Sequence, residues 1–450
     1  MSRVLIVGAG PAGVRAAETL VQAGLRPVVV DEGIRAGGQI YRRTFVRLDR
    51  TSRTLYGSEA DKAVALHSVF DRMVAEDHVT VHSQTSVIGL QDGVAHLLGP
   101  EGATSLAYDR LILATGAMDR VMPLPGWQGA GVYSLGAAQI ALKSQGVALG
   151  RRIVLAGSGP LLTLVAGQLI KAGALVEAVL DTAPMRVQVR GGLGMALARP
   201  WVTLRGAAMR ARLGRRYHAG VQLDRIETDA TGPIALHWRN ARGAARVSPC
   251  DAVALGWHLR AETHLADLAG VGFEWSAVFS QWLPKMDEMG RATEAVYLAG
   301  DGARLFGADA AEIAGRLAAT ACLMDMGHPA NDPTPDLRGL RRMARFAGAV
   351  QRAFPWPAEM LRTLPDDTVL CRCEGISAGA LRATVDWSGP EANRAKSLGR
   401  VGMGRCQGRY CQLAAAEVIA GHAAMPVSEV GRLRSQPPVR PAPVSAFLGR

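Results

Sequence analysis

A chain of 450 residues with 48% hydrophobic and 20% charged side chains has an ordinary globular composition and is too long for one core; at about 100–200 residues per domain, two or three domains are expected. The formal charge of +12 comes from Lys and Arg scattered along an Ala- and Gly-rich chain and reads as compositional bias, so no nucleic-acid partner is expected. No stretch approaches the roughly 20 apolar residues of a membrane span, since even Ala310 to Met324 contains Glu312 and Arg316. Val4-Leu5-Ile6-Val7 is also too short for a secretory signal, which places the protein in the cytoplasm.

The chain opens on a strand, Val4-Leu5-Ile6-Val7, then Gly8-Ala9-Gly10-Pro11-Ala12-Gly13, then helical spacing through Ala16, Ala17 and Leu20. The first two glycines permit a tight turn and close approach to a pyrophosphate, and Gly13 lets the helix pack on the strand with its N-terminus toward the phosphates. A second strand, Pro27-Val28-Val29-Val30, ends at Asp31, where a carboxylate accepts hydrogen bonds from a ribose; neighbouring Glu32 can share that role. The order of strand, glycines, helix, strand and acid predicts a dinucleotide site.

Arg152-Ile153-Val154-Leu155-Ala156 leads into Gly157-Ser158-Gly159-Pro160-Leu161-Leu162, a helix through Gln168, and a strand Val176 to Leu180 ending at Asp181. This repeats the pattern, but Leu162 replaces the third glycine and is expected to crowd the helix–strand contact. The second fold is therefore expected to be retained without assured use of NAD(P)H. Whether NAD(P), ATP or nothing binds at Gly157 and Gly159 stays open. From Ala183 to Leu223 there is no Asp or Glu, while Arg186, Arg190, Arg199, Arg205, Arg210, Arg212, Arg215 and Arg216 accumulate: a solvated surface, or a docking face for an acidic partner or anionic lipid.

Of six cysteines, Cys250 and Cys322 stand alone and read as buried small hydrophobes. No redox Cys pair lies between residues 1 and 330, and His218, His258 and His264 read as structural, so no catalytic residue is assigned. Past the turn-rich Asp332-Pro333-Thr334-Pro335-Asp336 and a helix over 337–354 come Cys371-Arg372-Cys373 and, 32 residues later, Cys406-Gln407-Gly408-Arg409-Tyr410-Cys411. Four thiolates hold a [2Fe-2S] rhomb, two per iron, or a tetrahedral zinc; structural zinc more often uses two-residue spacings, so iron is favoured over zinc and over unliganded thiols. The run Pro437-Pro438-Val439-Arg440-Pro441-Ala442-Pro443 reads as an extended tail.

Three blocks, Gly37-Gly38-Gln39-Ile40-Tyr41, Leu111-Ile112-Leu113-Ala114-Thr115-Gly116 and Val296-Tyr297-Leu298-Ala299-Gly300-Asp301-Gly302, resemble the FAD-domain motifs of the glutathione-reductase-like superfamily. The resemblance implies FAD at the first site, with Gly8, Gly10, Pro11, Ala12, Gly13, Asp31, Glu32, Gly38, Gln39, Ala114, Thr115, Gly116 and Gly300 around it and Asp301 on the ribityl chain and pyrophosphate. The cysteine spacings resemble the bacterioferritin-associated-ferredoxin type of [2Fe-2S] domain. With Leu124-Pro125-Gly126-Trp127 added, nearly the whole chain resembles the large FAD subunit of heteromeric amine dehydrogenases, a group that comprises the large chain of opine oxidase, the alpha chains of D-hydroxyproline and L-proline dehydrogenases, and the FAD chain of hydrogen cyanide synthase.

That resemblance implies an electron-transfer subunit whose amino-acid-oxidase-like beta partner oxidises an opine-, hydroxyproline- or proline-type amine. It also implies an FMN at the interface between the two, a small third component, and contact with a quinone or the inner face of the membrane. The rival reading is a stand-alone NAD(P)H-dependent FAD and iron–sulfur reductase. The expected fold is α/β. It comprises an FAD fold of the glutathione-reductase type (residues 1–118 and 285–330) interrupted by an NAD(P)-like fold (119–284), a linker with a helix (331–365), a small helical [2Fe-2S] domain (366–425) and a Pro-rich tail (426–450).

Overall fold

The computed structural model describes residues 3–45 and 51–447. Its first sheet has five parallel strands in the order Val296–Leu298, Arg110–Leu113, Val4–Val7, Val28–Val30 and Thr80–His82, with Leu5 opposite Val28 on one side and Leu111 on the other. Strands of a parallel sheet are covered on both faces, which is why they read as unbroken apolar runs. Successive side chains point to opposite faces. Val4 and Ile6 pack with Ala16, Ala17 and Leu20 of helix Pro11–Gln22 and with Leu66 and Phe70 of helix Ala60–Ala75. Leu5 and Val7 pack instead with Val87, Leu97 and Leu265. The strand Val296–Leu298 reaches this sheet only after the chain has built the second one, and helix Ala308–Asp325 follows it back onto helix Pro11–Gln22.

The second sheet repeats the plan in the order Tyr217–Ala219, Leu175–Asp181, Arg152–Ser158, Ala252–Trp257 and Val132–Ser134, all parallel. Leu162 does not crowd it. The side chain is fully buried with Leu135, Leu155, Val165 and Leu169, in an apolar layer that stands where the first fold has Gly13. Helices Met185–Ala198 and Pro200–Ala211 follow the strand ending at Asp181 and form a hairpin carrying the arginine-rich segment.

The C-terminal third is packed into both folds. Helix Thr334–Ala353, with Pro335 in its first turn where a missing N–H costs nothing, lies against helices Met185–Ala198 and Ala308–Asp325. Helices Ala378–Ser388, Ala392–Gly399 and Gln412–His422 and the two-stranded pair Val369–Cys371 and Ile376–Ser377 form a small unit. Its Leu370, Cys371 and Val418 share one core with Trp127, Trp238 and Trp257 of the second fold, and the Trp127 indole N–H donates to the carbonyl of Val369 at 2.5 Å. The Pro-rich tail is extended yet docked: Val439 is buried in the core of the first fold and its N–H donates to the carbonyl of Ile88 at 2.9 Å. The last three residues of that tail lie outside the described residues.

Candidate functional site

The turn after Val7 is set by steric exclusion. Gly8 has φ +104°, and a Cβ there would lie 2.3 Å from the Ala114 carbonyl oxygen; a Cβ on Gly13 would lie 1.7 Å from the Gly8 carbonyl oxygen. Gly10 differs, because a Cβ there would meet only Gly38 Cα at 3.7 Å. Its missing side chain leaves open space rather than room for the protein's own backbone. Asp31 braces the turn, accepting from the Ala9 N–H at 2.5 Å and the Gly33 N–H at 2.6 Å, while burial raises its pKa against those two bonds.

Gly8, Gly10, Pro11, Ala12, Asp31, Glu32, Gly38, Gln39, Ala114, Thr115, Gly116 and Asp301 line one cavity of about 2110 Å³. Gly13 and Gly300 stand behind its wall as packing residues, Gly300 with its α-carbon turned toward Ala12. Asp301 accepts from the Gly307 N–H at 3.0 Å, and burial pushes its carboxyl up to about 6. Lys143 also lines the cavity; it donates to the Ile40 carbonyl at 2.9 Å and burial pushes it down to about 8. Nothing in its sequence context marked that lysine.

The second glycine turn is covered by the chain itself. Neither Gly157, Gly159 nor Asp181 lines the large cavity. A Cβ on Gly159 would stand 3.1 Å from the ring of His258, which is held by the Phe354 carbonyl at 2.6 Å from Nε2. Asp181, the counterpart of Asp31, is buried and engaged by Ser158 Oγ at 2.8 Å, the Ala183 N–H at 2.8 Å and the Tyr217 hydroxyl at 2.7 Å. Burial pushes its carboxyl up to about 6 despite those donors.

The four clustered cysteines meet as two contacting pairs, Cys371 with Cys411 and Cys373 with Cys406. Among the described residues no group of three or more His, Cys, Asp or Glu side chains is gathered tightly enough to hold a metal ion, so the thiols do not form one closed cage. The Cys371 thiol is held down at about 6 by Cys411 and by backbone N–H groups of Gly402, Glu374 and Cys373, whereas Cys411 is raised by the same contact and by burial. Cys250 and Cys322 are buried and burial pushes each thiol up to about 12. The three histidines behave as structural groups: burial lowers His258 to about 4 and His264 to about 3, and the His218 ring packs at a tilt against Trp238 with centroids 4.8 Å apart.

A connection that no sequence motif announces joins these features. Arg409, between Cys406 and Cys411, donates to both carboxylate oxygens of Glu262, and the backbone of Glu262 is bonded to Thr115 Oγ1 at 2.7 Å and to the Gly116 carbonyl at 3.0 Å. Arg409 and Tyr410 line the same cavity as the glycine turn. The tail closes the group: the Val439 carbonyl accepts from Arg409 at 2.9 Å, and Arg440 donates to Glu32 at 2.5 Å. Arg409 had a sequence signal, its place inside the cysteine motif; Glu262 and Arg440 had none.

Two parallel five-stranded sheets, each with a glycine turn and a terminal acid, and one open cavity at the first, define an oxidoreductase built from two dinucleotide folds. The chain belongs to the pyridine nucleotide-disulphide oxidoreductase family, whose model matches residues 2–322 and stops short of the four cysteines. Across 97% of its length it is 36% identical to the "A" component of the opine oxidase of Rhizobium meliloti, covering 85% of that protein. Across 98% it is 31% identical to hydrogen cyanide synthase subunit HcnB of Pseudomonas protegens, covering 97% of it. Among solved structures, L-proline dehydrogenase from P. horikoshii matches all of this chain and 79% of its own with a TM-score of 0.72 at 19% identity, a likeness of fold. No helix among the described residues is long and apolar enough to cross a membrane.

Proposed function

We propose that this chain is the electron-transfer subunit of a heteromeric dehydrogenase or oxidase, and that a partner chain oxidises an amino-acid-type amine of the opine, hydroxyproline or proline class. The observation that carries this reading is the shared wall: Arg409 and Tyr410, inside the second cysteine pair, face the cavity that the first glycine turn opens. Both relatives are named as subunits, which fits a partner.

The residues fit FAD in that cavity. Gly10 leaves the space that a pyrophosphate needs, the N-terminus of helix Pro11–Gln22 faces it, and Asp31 and Glu32 stand at the strand end suited to a ribose. Cys371, Cys373, Cys406 and Cys411 fit a [2Fe-2S] cluster, because two thiol pairs suit two irons better than a single tetrahedral ion, and backbone N–H groups already point at Cys371. Bound, FAD supplies two-electron chemistry and the cluster one-electron chemistry. The chain's own part is to hold the two sites in fixed register through the Arg409–Glu262–Thr115 connection and to keep water from it by burial. Asp181 and Gly159, covered by internal groups, argue against NAD(P)H as the electron source.

Protein purified without air is expected to carry a flavin, iron and acid-labile sulfide, and the complex is expected to show the cluster's EPR signal when an opine or proline is added. If the signal never appears with substrate, the chain is a scaffold and the reading fails.

A further inference from the structure

The arginine-rich hairpin presents a face that no part of the chain covers. Met185, Val189, Leu193 and Leu197 recur every four residues along helix Met185–Ala198, and Trp201 and Leu204 continue the stripe past the corner at Pro200; all six are exposed. Leu197 and Trp201, at 89% and 81%, are the most exposed large hydrophobic side chains among the described residues. The hairpin packs closely on the chain behind it: Gly191 lies so near helix Thr334–Ala353 that a Cβ there would be 2.5 Å from Ala353 Cα. The stripe is therefore pushed outward by packing behind it. A contiguous apolar patch on a helical surface marks an interaction site.

The hairpin's own charges are all positive, although Arg199 and Arg205 pair with Asp309 and Glu59 of neighbouring helices. Arg186, Arg190, Arg212, Arg215 and Arg216 make no ion pair or side-chain hydrogen bond among the described residues, and the segment from Ala183 to Leu223 contains no acid. The same hairpin also borders the large cavity, through Arg199, Val202, Arg205, Met209 and Arg212. A partner that exchanges electrons with a flavin in that cavity must sit at its rim.

We infer that the face made by Leu193, Leu197, Trp201 and Leu204 docks the amine-oxidising flavoprotein partner, through an apolar contact area with an acidic border that meets the free arginines. This rests on the proposed function, and it fixes where on this chain the partner binds. An exposed Trp on an arginine-bearing surface, buried only when a partner docks, has the composition of an interface hot spot.

The test is affinity purification of the tagged full chain from its own source, with flavin content and amine-dependent dye reduction measured on the isolate. The wild type is expected to retain a second flavoprotein. The doubly substituted Leu197→Glu, Trp201→Glu chain is expected to retain at least tenfold less of that partner while keeping its own flavin, whereas Val247→Glu, an exposed change on the strand Ala245–Pro249, keeps both. An intact complex in the double variant overturns the docking face and leaves the proposed function standing. Wild type that captures no second flavoprotein overturns both. Sedimentation of the wild type, but not the double variant, with phosphatidylglycerol vesicles while the complex survives assigns the face to a lipid surface instead. Loss of a self-dimer on gel filtration with the complex unchanged assigns it to a second copy.

Discussion

Arg409 and Glu262 form a buried ion pair, Nε to carboxylate oxygen at 2.7 Å, across 147 residues of sequence. It ties the cysteine-bearing unit to the Thr115 hydroxyl and the Gly116 carbonyl, just past the end of a strand of the first sheet. A buried pair of this kind contributes more to fixing a geometry than to net stability, but removing one partner strands the other.

That asymmetry gives the first prediction. Burial alone would raise the Glu262 carboxyl; His264, which takes up a proton only near pH 3, and the permanently charged Arg409 and Arg440 outweigh it and hold it at about 2. A folded-state value depressed below the ordinary carboxylate range contributes stability that is complete above about pH 4.5 and is lost as pH falls toward 2. Glu262→Gln should therefore cost on the order of 3 kcal/mol at neutral pH. In denaturant titrations the gap to wild type should close between those pH values; a gap that stays constant with pH would mean the charge on Glu262 is irrelevant.

His264 acts in the same direction over a higher range. Burial pushes it down to about 3, so the folded protein keeps it neutral while the unfolded chain takes up a proton below about pH 6.5. Stability from this group is lost as pH falls from there toward 3. His264→Gln should flatten the acid limb of a Tm-against-pH curve between about pH 6.5 and 5.5, a range in which Glu262 is still charged in both states.

Gly10 and Gly13 separate cofactor space from protein space. Gly13→Ala forces a Cβ into the Gly8 carbonyl and should yield insoluble or unfolded chain, whereas Gly10→Ala meets nothing closer than 3.7 Å and should fold with a Tm near wild type. The Gly10→Ala chain should nevertheless hold less than about a tenth of the flavin, since the methyl enters pyrophosphate space. A full complement of flavin in that variant would place the cofactor elsewhere.

The cysteine pairs predict a clean split in metal content. Cys373 is exposed and Cys411 buried, so Cys373→Ser should leave the fold and flavin intact while iron and acid-labile sulfide disappear; Cys411→Ala removes both the metal and part of the shared core. Zinc in place of iron in the anaerobic wild-type protein would refute the cluster assignment.

The covered second turn predicts silence toward pyridine nucleotides. A ligand present at 100 times its dissociation constant stabilises a protein by about 2.7 kcal/mol, so binding would appear as a raised Tm. Millimolar NADH or NADPH is expected neither to shift Tm nor to bleach the flavin in stopped flow. Bleaching within turnover time would restore the reductase reading.

Sequence alone determined what depends on neighbours along the chain. The unbroken apolar strands, the glycine spacing and the acid at Asp31 each encode a local geometry, and each sits on the element expected of it; the Cys-x-Cys and Cys-x4-Cys pairs were legible as spacings alone. Tertiary structure decided what depends on contacts between distant segments. Leu162, read as an obstruction, became core because Leu135 from a distant segment packs around it together with Leu155, Val165 and Leu169. Asp181, matched in motif to Asp31, is saturated by Ser158 and Tyr217, and only the placement of Tyr217 on the adjoining strand makes that so. Glu262 and Arg440 carry no local signature, since burial and pairing across more than a hundred residues are properties of packing rather than of spacing; the hairpin announced its charge in sequence, but only the fold decided which of its faces stayed bare.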